Sequence, residues 1–146
     1  MDCTPPWVYV ATAEAHDGEM AARIAEHRNR RDGRWRTVEA PLDLPGAIAA
    51  HGSDGQAVLI DCLTLWLSNV MLAGHDLAAE QQRLVAALRN AAGPVVAVSN
   101  EVGFGIVPDN ALARKFRDAQ GRLNIQVAAM ADRAVLIAAG LPLILK

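Results

Sequence analysis

An α/β fold, a mostly parallel sheet flanked by helices, is what this sequence predicts. Three observations predict it: short apolar runs rich in β-branched residues, helical periodicity between them, and polar residues gathered just after the runs. The 146 residues, 52% hydrophobic and 21% charged, suit a single domain over 1–146. A chain of that size buries roughly 68–70% of its unfolded surface, so it needs no disulfide or metal staple.

Taken in order, the runs Trp7–Ala11, Ala57–Ile60, Pro94–Val98, Ala134–Ala138 and Leu141–Leu145 each read as a buried strand. Val95-Val96-Ala97-Val98 is apolar at every position, the pattern of a parallel strand covered on both faces. Met20, Ile24 and His27 share one face of a helix. The 44–55 segment, with its Pro, Gly and Ser, reads as a loop and short-helix connection, and another helix begins near Leu63, with Trp66 in the core. Leu77, Leu84, Val85 and Leu88 share a face of a further helix, opened by Asp76 as N-cap and closed by Gly93-Pro94. The longest helical pattern runs from about Asn110 to Ala131, where Leu112, Phe116, Leu123, Val127 and Met130 recur despite Gly121.

Strand alternating with helix implies right-handed crossovers, and in such folds ligands bind beyond the C-terminal ends of the strands. The residues there are Thr12-Ala13-Glu14-Ala15, Asp61-Cys62-Leu63-Thr64 and Ser99-Asn100-Glu101-Val102-Gly103, a hydroxyl or carboxylate after each of three strands.

Composition narrows the function classes. A net charge of −2 gives no general attraction to nucleic acid or anionic membrane. No apolar run approaches the roughly 20 residues needed to span a bilayer, and the N-terminus has no basic-then-apolar leader, so a cytoplasmic protein without membrane insertion is expected. Cys3 and Cys62 lie far apart without metal-ligand spacing, and neither H-E-x-x-H nor a Ser/His/Asp order is present.

Two residues stand out chemically. Asp61 closes the strand Val58-Leu59-Ile60, as in the second nucleotide-binding motif of P-loop proteins, whose carboxylate holds Mg²⁺ or its water; it equally suits a cap for the helix beginning near Leu63. The accompanying G-x-x-x-x-G-K-[ST] loop is absent, since the only lysines are Lys115 and Lys146. Gly103-Phe104-Gly105 reads as a tight turn, because Pro108 stands where a dinucleotide fingerprint has its third glycine. His27 is followed by Arg28, Arg30, Arg31, Arg34 and Arg36: a neutral imidazole attacks phosphorus well, and guanidiniums beside it hold a triphosphate and discourage protonation of the ring. The same pattern also fits an interfacial helix residue next to a solvated basic segment. His16, His51 and His75 have no partner at useful spacing, so surface or loop positions suffice for them.

Read together, Tyr9-Val-Ala-Thr-Ala-Glu-Ala15, Glu19-Met-Ala-Ala-Arg-Ile-Ala-Glu-His27 and Trp35-Arg-Thr-Val-Glu39 resemble the bifunctional adenosylcobinamide kinase and adenosylcobinamide-phosphate guanylyltransferase family. Asp61-Cys-Leu-Thr-Leu-Trp-Leu-Ser-Asn69, Val98-Ser-Asn-Glu-Val-Gly-Phe-Gly-Ile-Val-Pro108, Ala113-Arg-Lys-Phe-Arg-Asp118 and Gly121-Arg-Leu-Asn124 follow in the same order and spacing.

The resemblance implies a P-loop NTPase-like (RecA-like) parallel sheet, a homotrimer, and cobalamin biosynthesis with GTP and ATP as substrates and Mg²⁺ as cofactor. It implies phosphorylation of adenosylcobinamide, then transfer of GMP from GTP through a histidine to adenosylcobinamide phosphate, giving adenosylcobinamide-GDP. The guanylylated histidine closes an Arg-Ile-x-x-His motif, here Arg23-Ile24-x-x-His27. Nucleotide contacts are implied at Ala13, Glu14 and Ala15, at Arg28, Asn29, Arg30 and Arg31, and at the acidic positions Glu39 and Asp61. Members of the family begin with a strand and a Gly-Gly-x-x-Ser-Gly-Lys-Ser-like loop that this chain lacks, and a start upstream of Met1 is expected. Two alternatives follow from that difference, a guanylyltransferase without kinase activity and an inactive nucleotide- or corrinoid-binding subunit.

Overall fold

The computed structural model describes residues 3–15, 17–52 and 55–146. Two compact units divide the chain, Met1–Asn100 and Glu101–Lys146. The first contains β1 (Trp7–Ala11), α1 (Gly18–Asn29), β2 (Trp35–Glu39), α2 (Leu44–His51), β3 (Val58–Asp61), α3 (Leu63–Leu72), α4 (Leu77–Asn90) and β4 (Val95–Val98). Its four strands form one parallel sheet in the order β2-β1-β3-β4.

Register divides the side chains between two faces. Val8 pairs with Val58 and Val10 with Ile60, and these four point to one side, where they are 0–2% exposed. Leu44 and Ile48 of α2, Trp66, Leu67 and Val70 of α3, and Leu84 of α4 complete this core, α4 packing on both α2 and α3. Trp66, expected in the core, is fully buried, and its indole N–H donates to Leu42 O at 2.8 Å. Asp76 caps α4 as expected, accepting from Ala78 N and Ala79 N.

The opposite face carries Tyr9, Ala11, Thr37, Glu39, Leu59, Asp61, Val96 and Val98. Coverage there is partial: Val96 is 60% and Val98 44% exposed, so the expectation that β4 is covered on both faces does not hold within this unit. An apolar sequence reports what a strand tolerates, and β4 has a neighbour only on its β3 side. The alternating Trp35-Arg36-Thr37-Val38-Glu39 forms β2, which a search for continuous apolar runs passes over.

In the second unit, α5 (Ala111–Met130) starts at Asn110, whose side chain accepts from Ala113 N, and β5 (Val135–Ala138) pairs antiparallel with β6 (Leu141–Ile144). These two strands were expected to be buried parallel strands and are instead an exposed hairpin. Only Ala139 and Gly140 join them, at φ 52° and 76°. Two residues with positive φ close a tight hairpin, whereas a parallel connection needs a crossover of roughly a dozen residues.

Candidate active site

Parallel pairing of β1 with β2 and β3 sets Ala11 level with Glu39 on one side and Asp61 on the other. The C-terminal ends of three strands therefore put two carboxylates on one face of the sheet, with Ala13, Glu14 and Ala15 following directly on β1. Buried polar contacts tie these ends together. Thr12 Oγ1 donates to Cys62 O at 2.7 Å and accepts from Cys62 N at 2.8 Å; Asn69 Nδ2 donates to Thr12 O at 2.8 Å and to Pro41 O at 3.1 Å. The hydroxyl of Thr12, fully buried, is thus committed to the scaffold and not to the rim. That of Thr64 accepts from Asn100 N at 2.8 Å and anchors the chain leaving β4.

Asp17 caps α1 by accepting from Met20 N at 2.7 Å. The helix contains no buried residue, and only Met20 and Ile24 are half-buried, so packing holds it weakly. Its C-terminal end is held by cations. Arg31 lies 3.7 Å over the Tyr9 ring, Arg34 lies 5.0 Å from the Trp7 ring, and Arg28 donates to Glu39 at 2.8 Å. Trp35 packs against both Trp7 and Tyr9, so the aromatic floor under these arginines is continuous.

This arrangement brings His27 to the sheet. Its Nδ1 is 3.9 Å from Asp61 Oδ2, and its side chain remains 56% exposed, so the imidazole faces a carboxylate while staying open to a substrate. The same oxygen of Asp61 accepts a hydrogen bond from the Tyr9 hydroxyl. Burial, and then the bond and charge of Asp61, push the Tyr9 phenol far above its ordinary range and keep it a donor. Asp61 does not cap α3, whose N-cap is Cys62 without a side-chain bond; its carboxylate points to the Tyr9 and His27 side instead.

Of the residues expected at the site, His27, Arg28, Arg31, Glu39 and Asp61 lie in this cluster. Arg30 is bonded to Glu26 at 2.5 Å along its own helix, and Asn29 is exposed. Arg34 pairs with Asp32 at 2.7 Å, and that bond holds the Asp32 carboxyl below its usual range. Two of the other histidines do have neighbours. His51 Nδ1 sits 2.5 Å from Arg36 Nη2 and His75 Nδ1 3.8 Å from Glu80, while His16 lies outside the described residues. No group of three or more His, Cys, Asp or Glu among the described residues is arranged to hold a metal ion. Asp61 is bonded to Tyr9 and Glu39 to Arg28.

Tyr9 is the residue the sequence reading passes over. It looks like one more apolar position in Trp7-Val8-Tyr9-Val10, but it shares a face with Ala11, the residue level with Asp61, and that parity was available in the sequence.

The family model for "cobinamide kinase / cobinamide phosphate guanyltransferase" matches residues 1–145. The chain belongs to that family. A bifunctional adenosylcobalamin biosynthesis protein CobP of Pseudomonas aeruginosa is 44% identical over 140 residues, covering 94% of this chain and 81% of the relative. The corresponding CobU proteins of Salmonella typhimurium and Escherichia coli K12 are each 40% identical, covering 94% and 92% of this chain and 84% and 82% of their own lengths. Membership makes the chain an enzyme of the kinase and nucleotidyltransferase class. No helix among the described residues is long and apolar enough to cross a membrane.

Proposed function

We propose that this enzyme acts in adenosylcobalamin biosynthesis by transferring GMP from GTP to His27 and from His27 to adenosylcobinamide phosphate, and that it phosphorylates adenosylcobinamide in the preceding step. The observation that carries the reading is the solvent-open imidazole held 3.9 Å from a carboxylate at the ends of the parallel strands.

In the first half-reaction the Nε2 lone pair of a neutral His27 attacks the α-phosphorus of GTP. An N–P bond forms, the bond from that phosphorus to the bridging oxygen breaks, and pyrophosphate leaves with the electron pair. In the second, a phosphate oxygen of adenosylcobinamide phosphate attacks the same phosphorus, and the N–P electron pair returns to Nε2. No proton has to move in either half. The ring keeps its Nδ1 proton, is cationic while it carries GMP, and is stabilised in that state by the facing carboxylate. The covalent intermediate splits one displacement into two easier ones.

The guanidinium of Arg28 is paired with Glu39 across an exposed gap, so a phosphate can take it over at little expense. Glu39, with acceptor oxygens at the end of β2, suits the N–H donors of a guanine ring once a phosphate has taken Arg28, and the loop 13–15 follows directly on the neighbouring β1. Mg²⁺ belongs to the substrate in this scheme, as the counter-ion of the triphosphate. Assembly as a homotrimer and action in the cytoplasm form part of the same proposal. An inert binding subunit gains no support from the relatives, which are bifunctional proteins by name.

Incubation with GTP labelled at the α-phosphate tests the reading. Acid-labile, base-stable label should appear on the folded protein and be lost in His27→Ala. Label entering from the γ-phosphate instead would replace this scheme with a phosphohistidine carrier.

A further inference from the structure

Two side chains face a single oxygen. The Tyr9 hydroxyl is bonded to Asp61 Oδ2, and His27 Nδ1 stands 3.9 Å from the same oxygen, within ion-pair range but beyond a hydrogen bond. Tyr9 is itself a fixed point: it is 7% exposed, its backbone lies within β1 between β2 and β3, Arg31 covers its ring at 3.7 Å, and Trp35 meets it edge-on. Asp61, by contrast, is the last residue of β3, and its carboxylate is partly open to solvent. Without a partner that carboxylate would sample several rotamers at the strand end. The phenol selects the one that faces α1.

We propose that Tyr9 is a positioning residue for the histidine: by holding Asp61 Oδ2 it keeps the carboxylate opposite Nδ1, where its charge favours the tautomer with the proton on Nδ1 and the lone pair on Nε2 for attack on phosphorus. This deepens the reaction proposed above and rests on it. The chemical consequence is specific. An imidazole with its proton on Nε2 presents no lone pair there, and a solvated histidine side chain favours that form, so an unguided ring is mostly the wrong tautomer for an Nε2 nucleophile. A hydrogen bond from the other nitrogen to a carboxylate is the usual means of setting the tautomer, and the carboxylate must itself be held. Arg31 contributes at one remove: its Nε is buried without a hydrogen-bond partner, and its guanidinium clamps the Tyr9 ring.

Tyr9→Phe is the informative change, because it keeps the ring under Arg31 and beside Trp35 and removes only the hydroxyl. Nitrogen-15 shifts of the His27 ring, recorded where it is neutral, should show mainly the Nδ1–H form in the natural protein and a move toward the Nε2–H form in Tyr9→Phe. Asp61→Ala, which removes the acceptor, should give the same move. Single-turnover labelling from α-labelled GTP should fall about 10-fold in Tyr9→Phe, with the KM for GTP within about twofold, since only orientation of the nucleophile has changed.

An unchanged tautomer in folded Tyr9→Phe overturns the inference, as does a rate loss that appears wholly in KM. Absence of label on the natural protein would refute the guanylylation scheme instead; the tautomer comparison is read without substrate, so the two failures are distinct.

Discussion

Replacing Asn69 by Leu removes one amide and keeps the volume, and the structure sets the size of the effect. The Nδ2 group bridges Thr12 O at 2.8 Å and Pro41 O at 3.1 Å, tying the exits of β1 and β2 to α3. Two neutral hydrogen bonds are worth about 1 kcal/mol each, and leaving the carbonyl of fully buried Thr12 facing methyl groups adds a desolvation penalty of about 1 kcal/mol or more. The expected loss is about 3 kcal/mol, which for a chain of this length lowers Tm by about 10 °C. Urea unfolding followed by circular dichroism measures it, with a lower midpoint at an unchanged slope marking a true stability effect. A loss below about 1 kcal/mol would refute the reasoning, because it would mean that the strand ends do not depend on this bridge.

Thr12→Val removes the hydroxyl that serves both the N–H and the carbonyl of Cys62, and should lower stability by about 2 kcal/mol in the same urea assay. Trp66→Ala empties the centre of the core and should lose about 3–5 kcal/mol or fail to fold, as judged by loss of the cooperative transition. Arg28→Ala breaks only an exposed pair, so its stability should change by under about 1 kcal/mol, while GTP affinity measured calorimetrically falls about 10-fold or more. The raised Tyr9 phenol makes the folded state prefer the protonated form: its contribution is intact below the unfolded value of 10.0 and is lost as pH rises toward the folded value. Thermal scans above pH 10.0 should therefore show a steeper fall in Tm for the natural protein than for Tyr9→Phe.

Much of the scaffold was legible because it depends on local signals. Asp76 and Asn110 cap the helices they were expected to open or flank, and Val58-Leu59-Ile60-Asp61 is a strand ending on a carboxylate at the C-terminal rim of the sheet. What the sequence concealed depends on pairing between distant segments. Val96 and Val98 read as interior residues, yet coverage is decided by which elements reach that face. The hairpin Val135–Ala138 with Leu141–Ile144 looked like two more parallel strands, although the two-residue Ala139-Gly140 link already excluded that. At the site, the arginine run suggested five phosphate ligands. Arg28 and Arg31 lie in the cluster, whereas helical spacing satisfies Arg30 with Glu26, a local turn satisfies Arg34 with Asp32, and Arg36 meets His51. Tyr9 escaped notice because its bond to Asp61 arises only when β1 and β3 pair in register.

The most direct measurement is a peptide map by mass spectrometry of the protein quenched during turnover with GTP and adenosylcobinamide phosphate. One GMP carried on the peptide that contains His27, appearing and decaying fast enough to account for product, is the expected result. Normal turnover by a folded His27→Ala variant, or GMP attached to another residue, would contradict the mechanism.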